Sequence, residues 1–427
     1  MDIKIKNVHL FDPLNGIDEV GTLSIDKGKV VKNSKSSVRK EIDGKGLYLF
    51  PGFVDVHSHF REPGAEDAET IESGSKAAVK GGYTSVCVMP NTNPPIDNEG
   101  VARFIKEKSE KVDLCRVFPI GAITKGRAGK ELSEMSHLYQ AGCVAFSDDG
   151  DCVKDTSIMR NAMEYSKLFN VPVIDHPEDI SLSGEGQMHE GAVSAQLGFK
   201  GIPDIAESTV VARDILLSKF TQAKIHLAHV STADSVKLIK QWKNDKTTSE
   251  VTPHHLLLTD EEIKDFDPNK KMKPPLRTLN DVEALTKALK EGLIDIIASD
   301  HAPHPDYKKD LEFTEAAFGV TGLETSFSVL YTELVKKGKF SLDVLIKLLT
   351  SAPSKIFGLP FGEIMEGSTA DFVLVDLKDK WKVTTDVFAS KSKNSPFLGW
   401  ELEGVVKYCI VNGKIVFEHG EFNRKGK

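Results

Sequence analysis

The chain has 427 residues, of which 40% are hydrophobic and 28% charged, and its formal net charge is −8. This length favours one large α/β barrel with an accessory module, or two to three ordinary domains, and the mildly acidic balance argues against a nucleic-acid or anionic-membrane binder. The first residues lack the apolar core of a signal peptide, no stretch reaches the ~20 apolar residues of a membrane span, and the cysteines form no C-x-x-C pair. We therefore expect a soluble cytoplasmic protein.

Both ends of the chain carry the alternating pattern of half-buried strands. Residues 2–11 read DIKIKNVHLF and residues 22–31 read TLSIDKGKVV, with the turn signal DPLNG between them. Near the other end, ADFVLVDL and GVVKYCIVNGKIVF have the same alternation, and NGK is a hairpin signal. The pattern predicts a small β-sandwich domain built from both chain ends, residues 1–50 plus 361–427.

The middle of the chain, residues 51–360, alternates short apolar runs with segments of helical periodicity such as NDVEALTKALKEG. Eight strand–helix alternations in one continuous region predict an α/β fold of the (β/α)8 TIM-barrel type, which would be the catalytic domain. Ser231, Thr232 or Asp234 is expected to cap one of the helices. The Gly- and Ser-rich stretch between Pro177 and Lys200 is expected to be a long loop. The eight apolar runs are FVDVHSH, TSVCVMP, RVFPIGA, CVAFSDD, VPVIDH, KIHLAHV, SEVTPHH and IDIIASDH.

Most of these runs end in histidine or aspartate. Because the carboxyl ends of all strands in a parallel barrel open onto one face, side chains far apart in sequence should converge there. Eight of the 13 histidines fall at such ends. The residues at the strand ends are His57, His59, Asp148, Asp149, Asp175, His176, His229, His254, His255, Asp300, His301 and His304.

Imidazole and carboxylate are the ligands that zinc, manganese and iron prefer. His57 and His59 are two residues apart, so on a strand both side chains point the same way. A lone His-x-His pair is usually solvated or hydrogen-bonded in a core. Its conjunction with His176, His229 and Asp300, each closing a separate strand, predicts a metal site. One metal would take His57, His59 and a carboxylate, and a second would take His176 and His229.

The other histidines fit structural roles better. His226 lies three residues before His229 and should point to the opposite side of its strand, where it would pack against a helix. His254 and His255 point oppositely and are expected to support the site or the fold. A bound metal lowers the pKa of water, and Asp300 is placed to take that proton and to return it to a leaving nitrogen.

Several motifs together resemble the class I dihydroorotases of the amidohydrolase superfamily. They are PGFVDVHSHFREPG, VMPNTNPP, FSDDGD, VTPHHLLLTD, KPPLR, ASDHAPH and FGVTGLET, and the similarity runs through nearly the whole chain. The resemblance implies zinc, one or two ions per subunit. It also implies the reversible interconversion of N-carbamoyl-L-aspartate and L-dihydroorotate in pyrimidine (UMP) biosynthesis.

The resemblance also implies roles for individual residues. His57, His59 and Asp300 match the ligands of the first metal, and His176 and His229 those of the second. Asp149 matches the bridging ligand. Many relatives carry a carboxylated lysine there instead, and VAFSDDG has no lysine, so the bridge should be Asp149 or solvent. Asp300 matches the general base of hydrolysis, which is the general acid of ring closure.

The substrate contacts are implied in the same way. Arg61, Asn91 and His304 match positions that hold the exocyclic carboxylate, for which a guanidinium offers paired donors. Phe318 and Gly319 match a backbone contact to the ring. Lys273 stands where the bacterial pattern usually has Asn. Either the contact is made by main chain and Lys273 turns to solvent, or a cation enters the pocket and alters affinity or substrate choice.

Two other functions stay open from the sequence. One is another cyclic-amide hydrolase, of hydantoinase or allantoinase type, although the strand-four lysine is absent and Arg61 requires a carboxylate-bearing substrate. The other is a non-catalytic homologue that scaffolds aspartate carbamoyltransferase, although all six ligand positions survive. A homodimer and an association with aspartate carbamoyltransferase are expected partners, and residues 305–314 are the candidate lid.

Overall fold

The computed structural model describes residues 2–32 and 37–423. Within this part of the chain the strands are β1 (Ile3–Asp12), β2 (Ile17–Asp26), β3 (Lys29–Val31), β4 (Lys40–Asp43), β5 (Tyr48–Pro51), β6 (Phe53–Ser58), β7 (Tyr83–Val88), β8 (Arg116–Pro119), β9 (Gly121–Ala122), β10 (Phe146–Ser147), β11 (Val173–Asp175), β12 (Met188–His189), β13 (Gly201–Ile202), β14 (Ile225–Leu227), β15 (Thr247–Val251), β16 (Ile296–Ile297), β17 (Phe372–Lys382), β18 (Glu401–Val411), β19 (Lys414–Glu418) and β20 (Glu421–Phe422).

The α-helices of the same residues are α1 (Ile71–Lys80), α2 (Glu99–Val112), α3 (Met135–Gln140), α4 (Thr156–Ser166), α5 (Ile180–Ser183), α6 (Ala192–Leu197), α7 (Ile205–Thr221), α8 (Ala233–Trp242), α9 (Pro253–Leu257), α10 (Leu279–Lys290), α11 (Asp306–Lys309), α12 (Ser326–Leu330), α13 (Leu342–Leu349) and α14 (Ser351–Phe357). None of them is long and apolar enough to cross a membrane.

The barrel predicted from the eight apolar runs is confirmed. Its strands follow one another in parallel as β6, β7, β8 with its continuation β9, β10, β11, β14, β15 and β16. A parallel bridge between Ser58 and His301 joins the first strand to the last and closes the ring. Strands such as β6 and β7 are buried along their whole length, which is why they read as continuous apolar runs.

The two ends of the chain form a common sheet, as their alternation predicted. Its strand order is β20-β19-β18-β17-β5-β1-β2-β3, with β4 pairing to β1. The join lies between β5 and β17, which run antiparallel with Phe372 opposite Pro51. Ile5, Ile25 and Leu49 belong to its apolar cluster and are fully buried. We keep the predicted division into residues 1–50 plus 361–427 and 51–360 as a proposal.

Several helices between barrel strands begin at polar caps. Thr232, one of the three predicted candidates, caps α8 and accepts from the Ser235 amide at 3.1 Å. Thr278 and Asp281 form a capping box at α10. These caps satisfy amides that the first turn of a helix leaves without an intrahelical partner.

The prediction of one long loop from residue 177 to 200 is wrong in part. The stretch contains α5, β12 and α6, and β12 pairs with β13. The reason is a small apolar cluster, in which Met188 and Val193 pack with Ile263 and Phe313. The helices and the strand in this stretch are too short for their periodicity to be recognised in a sequence rich in Gly and Ser.

Candidate metal centre

The six residues predicted as metal ligands all lie at the carboxyl ends of barrel strands, on one face. His57 belongs to β6 and His59 follows it, Asp149 follows β10, His176 follows β11, His229 follows β14, and Asp300 follows β16. The barrel therefore brings together residues that are up to 243 positions apart in sequence, from 57 to 300.

Short distances connect the six side chains. His229 Nε2 lies 2.8 Å from His176 Nδ1, His57 Nε2 lies 3.4 Å from Asp149 Oδ1, and His59 Nε2 lies 3.2 Å from Asp300 Oδ1. Asp149 also connects the two predicted halves, since its Oδ2 is 3.6 Å from His59 Nε2 and its Oδ1 is 3.6 Å from His176 Nδ1. Ligand atoms of His57, Asp149 and His229 lie within 4.8 Å of one another, as do those of His57, His59 and Asp300.

The cluster fits a divalent cation. All six side chains are buried. His57 Nε2 and Asp149 Oδ1, which face each other at 3.4 Å, have no hydrogen-bond partner among the described residues. A buried polar atom without a partner costs about 1–3 kcal/mol, and two of them side by side, one imidazole nitrogen and one carboxylate oxygen, are what a zinc-type ion would satisfy.

In three of the histidines, the ring nitrogen that faces away from the cluster is hydrogen-bonded to a polar side chain. His57 Nδ1 donates to Glu250 Oε1 at 2.6 Å and His59 Nδ1 donates to Asn91 Oδ1 at 2.8 Å. These tautomers are assigned from the hydrogen-bond network, and they leave Nε2 of both rings with a lone pair directed into the cluster.

His176 follows the same principle with its nitrogens exchanged. Its Nε2 donates to Glu178 Oε2 at 3.3 Å, and its Nδ1 faces His229. Glu178 is in turn paired with Lys273, whose Nζ lies 2.9 Å from the same carboxylate oxygen. The metal-facing nitrogen of His176 is therefore fixed by a chain of two contacts, the first of them buried.

The histidines keep the nearby carboxylates ionised. Burial alone would raise the pKa of Asp149 and Asp300, but His57 and the other imidazoles beside them hold both pKa values well below the usual range. Burial likewise opposes the ionisation of Glu250, and contact with His57 and His226 lowers its pKa to about 2. These ionised carboxylates favour a bound cation, which would take the place of the imidazole protons that stabilise them.

Three site residues have left-handed backbones that L-residues other than Asn and Asp rarely adopt. The φ angles are 60° at Arg61, 29° at His229 and 44° at Asp300. Such conformations cost of order 1 kcal/mol or more each and concentrate at functional sites. All three residues lie two or three positions after the end of a barrel strand.

The predicted carboxylate clamp lies beside the cluster. Arg61 Nε donates to the Pro303 carbonyl at 3.1 Å, and its terminal nitrogen is 3.4 Å from His304 Nε2. Burial and the neighbouring Arg61 lower the pKa of His304 to about 3, so this imidazole is neutral. Asn91 uses its Oδ1 on His59, as described above.

Phe318 and Gly319 are nearby, but the Phe318 carbonyl and both backbone groups of Gly319 are already engaged. His304 Nε2 donates to the Phe318 carbonyl at 2.7 Å. The Gly319 amide donates to Lys271 O, and the Gly319 carbonyl accepts from Lys309 Nζ and from Asn394 Nδ2, all three at 3.0 Å. A ring contact from Gly319 therefore requires one of these bonds to be exchanged.

Lys273 lies at the edge of the site and is paired with a carboxylate. It does not turn fully to solvent, since 27% of its side chain is exposed, and its ammonium is bound to Glu178. It also lies 5.7 Å from the centre of the Phe318 ring. Its charge is therefore partly neutralised at the edge of the site.

Glu250, like Glu178, is a residue of this centre that sequence reasoning missed. It lies inside the apolar run SEVTPHH, accepts from His57 and from His226 Nε2 at 3.0 Å, and is 1% exposed. A glutamate within a barrel strand was the available signal, because such a group is almost never buried without a partner. His226 packs on Phe357 of α14, as expected.

Comparison with known proteins agrees with this geometry. A family model described as "Dihydro-orotase-like" matches residues 46–235. A solved L-hydantoinase (dihydropyrimidinase) from Arthrobacter aurescens superposes with a TM-score of 0.87 at 26% identity, covering 99% of this chain and 97% of that one. A D-hydantoinase structure gives 0.83 at 23% identity, covering 99% and 96%, which supports the fold alone.

The fold and the polar cluster thus define a cyclic amidohydrolase. Among curated proteins, a dihydroorotase of Geobacter metallireducens is 47% identical over 98% of this chain and 100% of its own length. Another, of Caldicellulosiruptor saccharolyticus, is 46% identical over 99% and 100%. The chain belongs to the dihydroorotase family.

Proposed function

We propose that this protein is a dihydroorotase that interconverts N-carbamoyl-L-aspartate and L-dihydroorotate in pyrimidine biosynthesis. The observation that carries the proposal is the meeting of four histidines and two aspartates beside a partly buried arginine. The histidines and aspartates suit cleavage of a cyclic amide, and the arginine suits a substrate with a free carboxylate. Family membership supports the same reaction.

The ion of the centre is proposed to be zinc, at one or two per subunit. His57, His59 and Asp300 would hold one ion, His176 and His229 a second, and Asp149 would bridge them. When bound, a divalent metal lowers the pKa of water and polarises a carbonyl. A buried donor set of nitrogen and oxygen atoms is compatible with zinc.

Asp300 is proposed to move the proton. In ring opening, water adds to the ring amide carbon, Asp300 takes a proton from that water, and the C–N bond breaks as the proton passes to the ring nitrogen. Ring closure runs the same transfers in reverse. The low pKa of Asp300 keeps it ionised as a base before water binds.

Arg61 is proposed to bind the exocyclic carboxylate, with Asn91 and His304 beside it. Its Nε is held by Pro303 O, so the planar guanidinium is pre-oriented for a carboxylate. A neutral His304 adds no positive charge beside Arg61. Lys273 and the Phe318–Gly319 backbone are proposed to border the ring.

Two alternatives remain testable. Hydantoinase-type activity has the structural likeness in its favour, but the position after β10 carries Asp149 instead of a lysine. A non-catalytic scaffold for aspartate carbamoyltransferase has the complete ligand set against it. We also retain as proposals a cytoplasmic location, a homodimer, an association with aspartate carbamoyltransferase, and a lid at residues 305–314.

The deciding experiment is a ring-opening assay of the purified protein on L-dihydroorotate, hydantoin and allantoin. We expect turnover of dihydroorotate only. Turnover of hydantoin without dihydroorotate would assign the second function. Absence of turnover on all three, with the metal bound, would favour the scaffold.

A further inference from the structure

A segment of the C-terminal part of the chain, residues 389–394, lies across loops at the mouth of the barrel. The amides of Ala389 and Ser390 donate to the Glu324 carboxylate at 2.9 and 3.0 Å. Further along, Ser392 Oγ donates to the Ala68 carbonyl at 2.7 Å, in the loop that follows Arg61. The segment thus connects the loop after the first barrel strand with the region after the last.

The segment ends at Asn394, which is 5% exposed and bonded through three polar groups. Its Nδ2 donates to the Gly319 carbonyl at 3.0 Å, and its Oδ1 accepts from the His304 amide at 3.3 Å. Its own carbonyl accepts from the Thr321 amide at 2.9 Å. The two side-chain bonds fix the orientation of the amide group, because a carbonyl needs the NH2 and an N–H needs the oxygen.

The two residues that Asn394 connects are in close contact. Gly319 has φ 129°, and a Cβ at this position would lie 2.8 Å from Ala302 O and 3.0 Å from His304 Nε2. His304 also donates to the carbonyl of Phe318. A shift of either residue therefore moves the other, and Asn394 contacts both from a third segment.

We propose that Asn394 is a positioning residue of the substrate subsite. It holds the backbone of His304 and of Gly319 in the relative places that receive a carboxylate-bearing ring. This rests on the proposed function, in which His304, Phe318 and Gly319 border the substrate. Asn394 lies about 90 residues from His304 in sequence. Its hydrogen-bond partners His304, Gly319 and Thr321 are not predicted metal ligands.

The test compares Asn394→Ala with the control Ser392→Ala, which removes one hydrogen bond of the same segment to a residue outside the subsite. Steady-state kinetics on dihydroorotate are combined with metal content and with hydrogen–deuterium exchange of peptides that separate His304 from Thr321. In Asn394→Ala, KM should rise about tenfold while kcat stays within about threefold. Metal content should be unchanged.

Exchange gives a readout that does not depend on turnover. The His304 amide loses its acceptor in Asn394→Ala and should exchange faster, whereas Thr321, bonded to the main-chain carbonyl, should not. Asn394→Asp keeps an acceptor for His304 but sets a second oxygen against the Gly319 carbonyl. It should therefore protect the His304 amide and still raise KM.

The outcomes separate this inference from the proposed function. Kinetics equal to those of Ser392→Ala, loss of metal, or unchanged exchange at His304 would overturn the positioning role. If Asn394→Ala does not fold, Asn394→Asp decides through KM: a KM equal to that of Ser392→Ala, with the His304 amide still protected, would overturn the role. A wild-type protein without activity on dihydroorotate would reject the function, and exchange at His304 alone would then decide the positioning role.

Discussion

The common sheet formed by the two chain ends and the mouth of the barrel differ in the kind of residue that they bury. In the sheet, apolar residues alternate with polar ones, and the inward residues Ile5, Ile25 and Leu49 form an ordinary core. At the mouth, charged groups are buried, and Arg61 and Asp300 have left-handed backbones. A sheet built this way gains stability from burial, whereas the mouth gives up stability to hold charges in fixed positions. Substitutions in the two regions should therefore separate activity from stability.

The largest effect is expected at Asp300. Asp300→Ala removes both a proposed ligand and the proposed proton carrier, so kcat should fall by about 10²–10⁴-fold. The fold should persist, because the variant removes a strained, buried charge rather than core volume. Circular dichroism and steady-state kinetics measure the two quantities. Retained turnover would remove Asp300 from the proton-transfer role.

A substitution in the core of the sheet should lower stability and leave activity unchanged. Ile25→Ala opens a cavity in the apolar cluster and should lower the free energy of unfolding by about 2–5 kcal/mol. The kcat/KM of the folded protein should not change. Urea denaturation and kinetics test this against Val20→Ala on the same strand, where 71% of the residue is exposed and little change is expected. A matching loss of activity in Ile25→Ala would mean that the two regions are coupled.

Arg61→Met should act on binding. Removal of a charged, oriented donor pair should raise KM by about 10–100-fold, with a smaller effect on kcat. Arg103→Met on α2, where the side chain is 55% exposed, is the matched control. An unchanged KM in Arg61→Met would overturn the carboxylate clamp.

Glu250→Gln should act on the metal. The amide keeps the size of the side chain but is a weaker partner for the His57 Nδ1 proton, so metal affinity should fall by about 10–100-fold. Competition with a chelating dye measures this, with the exposed Glu99→Gln as control. Equal affinities in the two variants would make Glu250 a purely structural residue.

The smallest effect is expected at Lys273. Its ammonium is bound to Glu178 at the edge of the site, and a partly exposed ion pair contributes little. Lys273→Asn should therefore change KM for dihydroorotate by less than about fivefold. A larger change would place the cation in direct contact with the substrate.

The same contrast explains what the sequence could predict. The eight apolar runs and the alternating ends indicated barrel and sheet, and the strand ends indicated where His57, His176 and Asp300 would meet, because parallel topology fixes that face. Glu250 and Asn394 were missed because their roles depend on hydrogen bonds between distant segments. The short helices between residues 177 and 200 were missed because fewer than two turns carry no readable period.

The most direct test of the account is metal stoichiometry measured together with dihydroorotate turnover. We predict that the purified protein binds at least one divalent ion per chain. A chelator should abolish turnover without unfolding the protein, and zinc should restore it. Full turnover by the metal-free protein, or a folded protein that binds no divalent ion, would contradict the convergence of the six side chains on a cation.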